Sequence, residues 1–179
     1  SGSDVLEPES VLELFCDRSV ALLVQLALGQ VLADGDLVIL QDEFAAVSQH
    51  SYLVSDDGST GTKGLVTNVL EELIEKGEQF DEVIAIGPLP MMKFVCLLTK
   101  KYGIKTIVSM NPIMIDGTGM CGCCRLSVGG EMKFACVDGP DFDGHLVDFD
   151  ETMARNGAYR DFEAKARDED CNLFKKEVA

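Results

Sequence analysis

Basic residues are scarce in this sequence. Fifteen lysines and arginines stand against thirty-one aspartates and glutamates, a formal charge of −16, and a field of that sign repels nucleic-acid phosphates and anionic lipid surfaces at long range. Neither nucleic acid nor a membrane surface is expected as a partner; the acidity itself suits solubility and the steering of basic partners equally well. Long apolar runs are missing too, none approaching the roughly 20 residues that span a bilayer. The N-terminus, Ser1-Gly2-Ser3-Asp4, lacks a basic stretch followed by a hydrophobic one, so no secretory signal is visible and a cytoplasmic location is expected. Histidine occurs only as His50 and His145. Neither stands near a plausible nucleophile, which leaves no basis for a hydrolytic triad. No G-x-G-x-x-G or Walker sequence occurs.

What is present is a globular composition, 46% hydrophobic with 26% charged, at a length for which one core is the default. The seven cysteines are unevenly spread. Cys16, Cys96 and Cys171 stand alone, while Cys121, Cys123, Cys124 and Cys136 crowd one region. In a reducing compartment such a cluster points to metal or redox chemistry rather than to disulfide staples.

Periodicity predicts a helix over 9–18, an apolar strand over 21–28 ending near Gly29, a helix over 36–49 and a short strand over 51–54. A helix over 63–76, a strand over 82–86, a helix over 91–102 and a strand over 105–108 follow. This alternation implies an α/β fold, a parallel sheet with helices on both faces. After Asn111-Pro112, glycines at 117, 119, 122, 129, 130, 139 and 144 fall among cysteines and short apolar runs, so helices are not expected there. Arg125–Val128 and Glu131–Ala135 flank Gly129-Gly130, a pair suited to the positive φ of a tight hairpin turn. From Asp148 a charged helix with a frayed end is expected, docked through Phe149, Met153, Phe162 or Phe174.

Iron-sulfur clusters need soft thiolates converging on iron, and a curled loop of small residues can supply most of them. Asp116-Gly117-Thr118-Gly119-Met120-Cys121-Gly122-Cys123-Cys124, with Cys136 beyond, has the plant-ferredoxin spacing C-x4-C-x2-C…C with Asp116 in the first place. Asp116, Cys121, Cys124 and Cys136 are thus the candidate ligands, with Cys123 a substitute for Cys124 that the x2 spacing disfavours. As a harder ligand, Asp116 would alter the reduction potential and make binding pH-sensitive. The competing readings are a structural zinc, which would make the chain a zinc-stapled interaction module, and a thiol redox pair. Iron-sulfur is preferred.

Ligands of parallel α/β sheets bind beyond the carboxyl ends of the strands. Two loops qualify, Gly87-Pro88-Leu89-Pro90-Met91 and Ser55-Asp56-Asp57-Gly58-Ser59; on residues alone each reads first as an ordinary turn and second as a nucleotide contact. His145 is read as structural before it is read as a cluster neighbour.

Three stretches carry a family resemblance: Ile86-Gly87-Pro88-Leu89-Pro90-Met91-Met92-Lys93, Asn111 to Gly122, and Phe134-Ala135-Cys136-Val137-Asp138-Gly139-Pro140. They resemble the ferredoxin–NADP reductase-type electron-transfer subunits, in particular the small subunit of NADH-dependent ferredoxin:NADP oxidoreductase (sulfide dehydrogenase) and the electron-transfer subunit of dihydroorotate dehydrogenase B. The resemblance implies a nucleotide-binding domain of ferredoxin reductase C-terminal type over 20–110, lacking its first strand and glycine-rich turn. It further implies a 2Fe-2S hairpin and loop subdomain over 111–147, between an N-terminal helical segment (1–19) and a charged C-terminal tail (148–179). It implies that Asp57, Gly58, Gly87, Pro88 and Met91 border NAD(P)H and that Asp116, Cys121, Cys124 and Cys136 ligate the cluster; Cys123 departs from the small residue usual there. FAD would need a domain absent from these residues. The expected role is relay of single electrons to a larger flavin/iron-sulfur oxidoreductase subunit, with ferredoxin a further candidate partner.

Overall fold

The computed structural model describes residues 20–24, 46, 48, 50–55, 58 and 61–170. The helix expected over 9–18, nearly all of that over 36–49, the end of the first strand, Asp57, Cys16, Cys171 and Phe174 lie outside them.

Strands β1 (Val20–Val24), β4 (Glu82–Ile86) and β5 (Lys105–Ser109) are parallel neighbours in that order, and β8 (Asp141–Asp143) closes the edge antiparallel to β5. In β4 and β5 burial alternates with the pleat. Val83 and Ala85 lie beside their register partners Thr106 and Val108, all four buried. Helix α2 (Leu89–Tyr102) connects β4 to β5 and lies against both. It begins earlier than its apolar spacing suggested: Pro88 is its N-cap and Pro90 sits in the first turn, where a missing N–H costs no helical bond. It stops at Gly103, whose φ of 69° is the left-handed cap that glycine adopts readily.

Helix α1 (Val66–Glu75) packs on α2 through Leu70. The short strand expected over 51–54 is not formed at 51–53; strand begins at β2 (Val54–Ser55), which among the described residues pairs with β3 (Thr62–Lys63) and not with the main sheet. The predicted hairpin is present as β6 (Arg125–Val128) and β7 (Glu131–Phe134), with Gly129 and Gly130 both at positive φ.

Of two further elements after Asn111, one departs from the expectation that no helix forms there and the other is a strand that was not predicted. One turn of helix, α3 (Ala135–Asp138), follows β7 because Asp138 reaches back to accept the Phe134 N–H at 2.7 Å. Strand β8 has only Phe142 as an apolar residue, and its pairing with the free edge of β5 makes it a strand.

Helix α4 (Phe149–Asn156) is capped by Asp148, which accepts the Glu151 N–H at 2.9 Å. A 3-10 turn (Gly157–Tyr159) and α5 (Arg160–Asp170) complete the described chain. Phe149 and Met153 dock as expected, but Phe162 is exposed. Leu70, Val83, Met92, Val108, Leu126, Ala135 and Phe149 belong to one apolar core, so the hairpin and the sheet share their packing. Among the described residues no helix is long and apolar enough to cross a membrane.

Candidate metal centre

Beyond Ser109 the chain leaves the sheet. Met110 is buried and donates its N–H to Pro140 O at 2.9 Å, and Asn111 Nδ2 donates to Gly87 O at 3.4 Å, tying the start of the cysteine loop to the end of β4. From there to Cys124 no strand or helix forms. Gly117, Gly119 and Gly122 take φ values of 74°, 84° and 65°, and at Gly119 a Cβ would also come within 2.9 Å of Val137 Cγ2. Glycine is required there on both counts.

Asp116 organises this curl. Its two oxygens accept the N–H of Thr118 at 2.9 Å and of Cys121 at 3.0 Å. These bonds, that of Thr118 foremost, hold its carboxyl below the usual carboxylate range because they favour the charged form.

Cys124 is 2% exposed at the foot of β6. Its carbonyl accepts the Ala135 N–H at 3.2 Å, and the helical turn that starts there brings Cys136 Sγ to 3.3 Å from Cys124 Sγ. The Cys124 thiol bonded to it pushes the Cys136 pKa up, with desolvation adding to the effect. Two sulfurs bound tetrahedrally to one metal at about 2.3 Å would stand about 3.7 Å apart, so this pair is close to ligand geometry. Cys121 is exposed, Cys123 half-buried, and the Cys123 N–H donates to Cys121 Sγ at 3.4 Å.

The four candidate ligands therefore fall into two pairs, Asp116 with Cys121 and Cys124 with Cys136. Among the described residues no group of three or more His, Cys, Asp or Glu side chains is gathered as a complete metal site. The donor chemistry, soft sulfur with backbone N–H groups beside it, suits an iron-sulfur group or zinc.

Sequence reasoning missed two residues. Arg125 Nη1 donates to Gly122 O at 2.9 Å, and Arg155 Nη2 of α4 donates to Cys123 O at 3.3 Å. The first could have been suspected from its place next to Cys124; nothing in the sequence connects the second to the loop.

Of the residues expected at a nucleotide, Gly87 has a φ of 151° at the end of β4, Pro88 caps α2, and Met91 is buried in the core. Gly58 is exposed at a φ of 82° beside Lys63, and Asp57 lies outside the described residues. His145 Nε2 lies 3.1 Å from Thr99 Oγ1, which also accepts the Thr106 hydroxyl at 2.6 Å, a structural contact. His50 is exposed. Cys96 is buried under Gly144, and burial first, then the Asp143 carboxylate, pushes its thiol up to about 12, which makes it inert. A cleft of about 440 Å³ between α2 and 144–150 is lined by Lys93, Leu97, Lys100, His145 and Phe149, and by none of the candidate ligands.

Residues 111–148 match the family described as the iron-sulfur cluster binding domain of dihydroorotate dehydrogenase B. The chain is 53% identical over 133 residues to an uncharacterised protein in the adh 3′ region of Clostridium beijerinckii, covering 74% of this chain and 45% of the relative. It is 50% identical over 128 residues to the dihydroorotate dehydrogenase B (NAD(+)) electron transfer subunit homolog of Thermotoga maritima, covering 72% and 45%. A solved structure of NADH-dependent reduced ferredoxin–NADP oxidoreductase, presented for flavin-based electron bifurcation, superposes with a TM-score of 0.63 at 46% identity, covering 71% of this chain and 45% of that one. The chain spans less than half the length of these relatives.

Proposed function

We propose that this chain, whose residues 111–148 carry the iron-sulfur cluster binding domain of the dihydroorotate dehydrogenase B electron-transfer type, is an electron relay of an NAD(P)H oxidoreductase. Asp116, Cys121, Cys124 and Cys136 would hold a cluster of the 2Fe-2S kind, Cys124 and Cys136 being the pair already drawn together. When bound, such a cluster supplies a site that takes up and returns one electron at a time.

The residues of the chain do the rest. The turns at Gly117, Gly119 and Gly122 aim peptide N–H groups at the ligands, and the Asp116 oxygen, harder than sulfur, makes metal binding at its end more dependent on pH. Gly87, Pro88 and Met91, with Asp57 and Gly58, border the nicotinamide nucleotide, where Pro88 and Pro90 leave the N–H groups of Leu89 and Met91 as the first-turn donors of α2 toward phosphate. In this reading 20–110 is the nucleotide domain, 111–147 the cluster domain, and 1–19 and 148–179 are flanking segments. FAD is held by a domain outside these 179 residues. A larger flavin/iron-sulfur subunit exchanges electrons with the cluster, ferredoxin is a further partner, and the complex works in the cytoplasm.

The observation that carries this reading is the Cys124–Cys136 sulfur pair, 3.3 Å apart, inside the matched segment. Anaerobic reconstitution with iron and sulfide, metal and sulfide counting, and EPR of the reduced protein test it. Equal iron and sulfide with a reduced-state signal that Cys136→Ser abolishes or strongly alters is the expected result. Colourless protein holding one tetrahedral zinc would refute it.

A further inference from the structure

The carbonyl of Gly122 and the N–H of Cys123 belong to one peptide group, and both of its ends are engaged. Arg125 Nη1 donates to Gly122 O at 2.9 Å, and Cys123 N–H donates to Cys121 Sγ at 3.4 Å. The positive φ of Gly122, 65°, gives the loop the bend from which this peptide departs. A guanidinium on the carbonyl polarises the peptide and makes its N–H a stronger donor, as hydrogen bonds in series reinforce one another. Donors to a ligand sulfur favour the more negative, reduced form of an iron-sulfur centre and raise its potential.

We propose that Arg125 is a positioning residue that tunes the cluster's reduction potential through the Gly122–Cys123 peptide, which it polarises toward Cys121 Sγ. This rests on the reading that Cys121 is a ligand. The relay has a purpose in a chain of net charge −16, where every added electron meets a repulsive field. Arg155 holds the next carbonyl, Cys123 O, at 3.3 Å and fixes the same turn from α4. Arg125 is exposed, so its through-space charge is screened by salt while the peptide relay is not. The two contributions can therefore be separated.

The experiment compares the reconstituted full chain with Arg125→Gln and Arg125→Lys by EPR-monitored redox titration. Each is measured at low salt and at about 1 M, where the screening length is about 3 Å. Arg125→Gln should weaken one-electron reduction about tenfold, a midpoint about 59 mV lower. That difference should persist at high salt and be accompanied by shifted Fe–S stretching bands in resonance Raman spectra. Arg125→Lys, which keeps the charge and loses the planar fork, should recover part of it. Should the Gln variant hold less cluster, the Lys variant decides alone by lying below the wild type. Equal midpoints at equal iron and sulfide content, or a difference that vanishes in salt, overturn the relay and leave the cluster reading standing. A wild-type chain that takes up no iron and sulfide removes the cluster reading and the relay with it.

Discussion

In β4 and β5 the backbone is paired strand to strand, and Val83, Ala85 and Val108 are buried together with Met92 of the connecting helix α2. Between Asn111 and Cys124 there is no ladder, and Ile115 and Met120 face solvent at 76% and 88% exposure. The first region is held by apolar burial and regular hydrogen bonds. The second is held by isolated contacts, among them the Asp116 carboxylate, the Asn111 amide, three glycine turns and the guanidinium groups of Arg125 and Arg155. Stability resides mainly in the sheet and chemistry in the loop, so damage to one should be separable from damage to the other.

The largest effect should come from the sheet side. Met92→Ala empties a fully buried position and should cost about 2–5 kcal/mol, read as a lower urea midpoint, with cluster content intact below the transition. Loss of cluster without loss of stability would break the distinction. On the loop side, Gly119→Ala forces a side chain into a φ of 84° against Val137, at a cost of about 1–2 kcal/mol. It should appear as poorer cluster retention with a nearly unchanged unfolding midpoint; equal falls in both would show that the loop and the sheet are one cooperative unit. The smallest effect is expected where an ion pair joins α2 to α4. Lys93 Nζ lies 2.6 Å from Asp150 Oδ1, with the Asp150 side chain largely exposed. Asp150→Asn should therefore cost under about 1 kcal/mol, and less in high salt. A cost well above that at high salt would mean that charge, rather than the packing of Phe149 and Met153 on the core, fastens α4 to α2.

The sheet side was largely legible because its signals are local. The run Glu82-Val83-Ile84-Ala85-Ile86 alternates in burial as a strand should, and Gly129-Gly130 encodes its turn directly. The sequence pattern failed where tertiary context decides. Nothing in Asp141-Phe142-Asp143 announces a strand until β5 offers an edge, and Ala135–Asp138 is too short for periodicity to register, although it delivers Cys136 to Cys124. The thiols and Asp116 stood out by spacing. Arg155 could not, being 32 residues from the carbonyl it holds. The burial of the Met91 side chain leaves its backbone as the part that can face a nucleotide beside Gly87 and Pro88.

The register of β4 and β5 pairs Ile86 with Ser109, so the strands end side by side and Gly87 and Met110 leave from neighbouring points. One extra residue in β5 would slide the whole loop by about 3.3 Å and turn its departure to the opposite side of the pleat. The span from the Gly87 turn to the first thiol is thus a length set by ladder arithmetic. Substitution can retune what surrounds the sulfurs, but insertion in that strand would misplace them all at once.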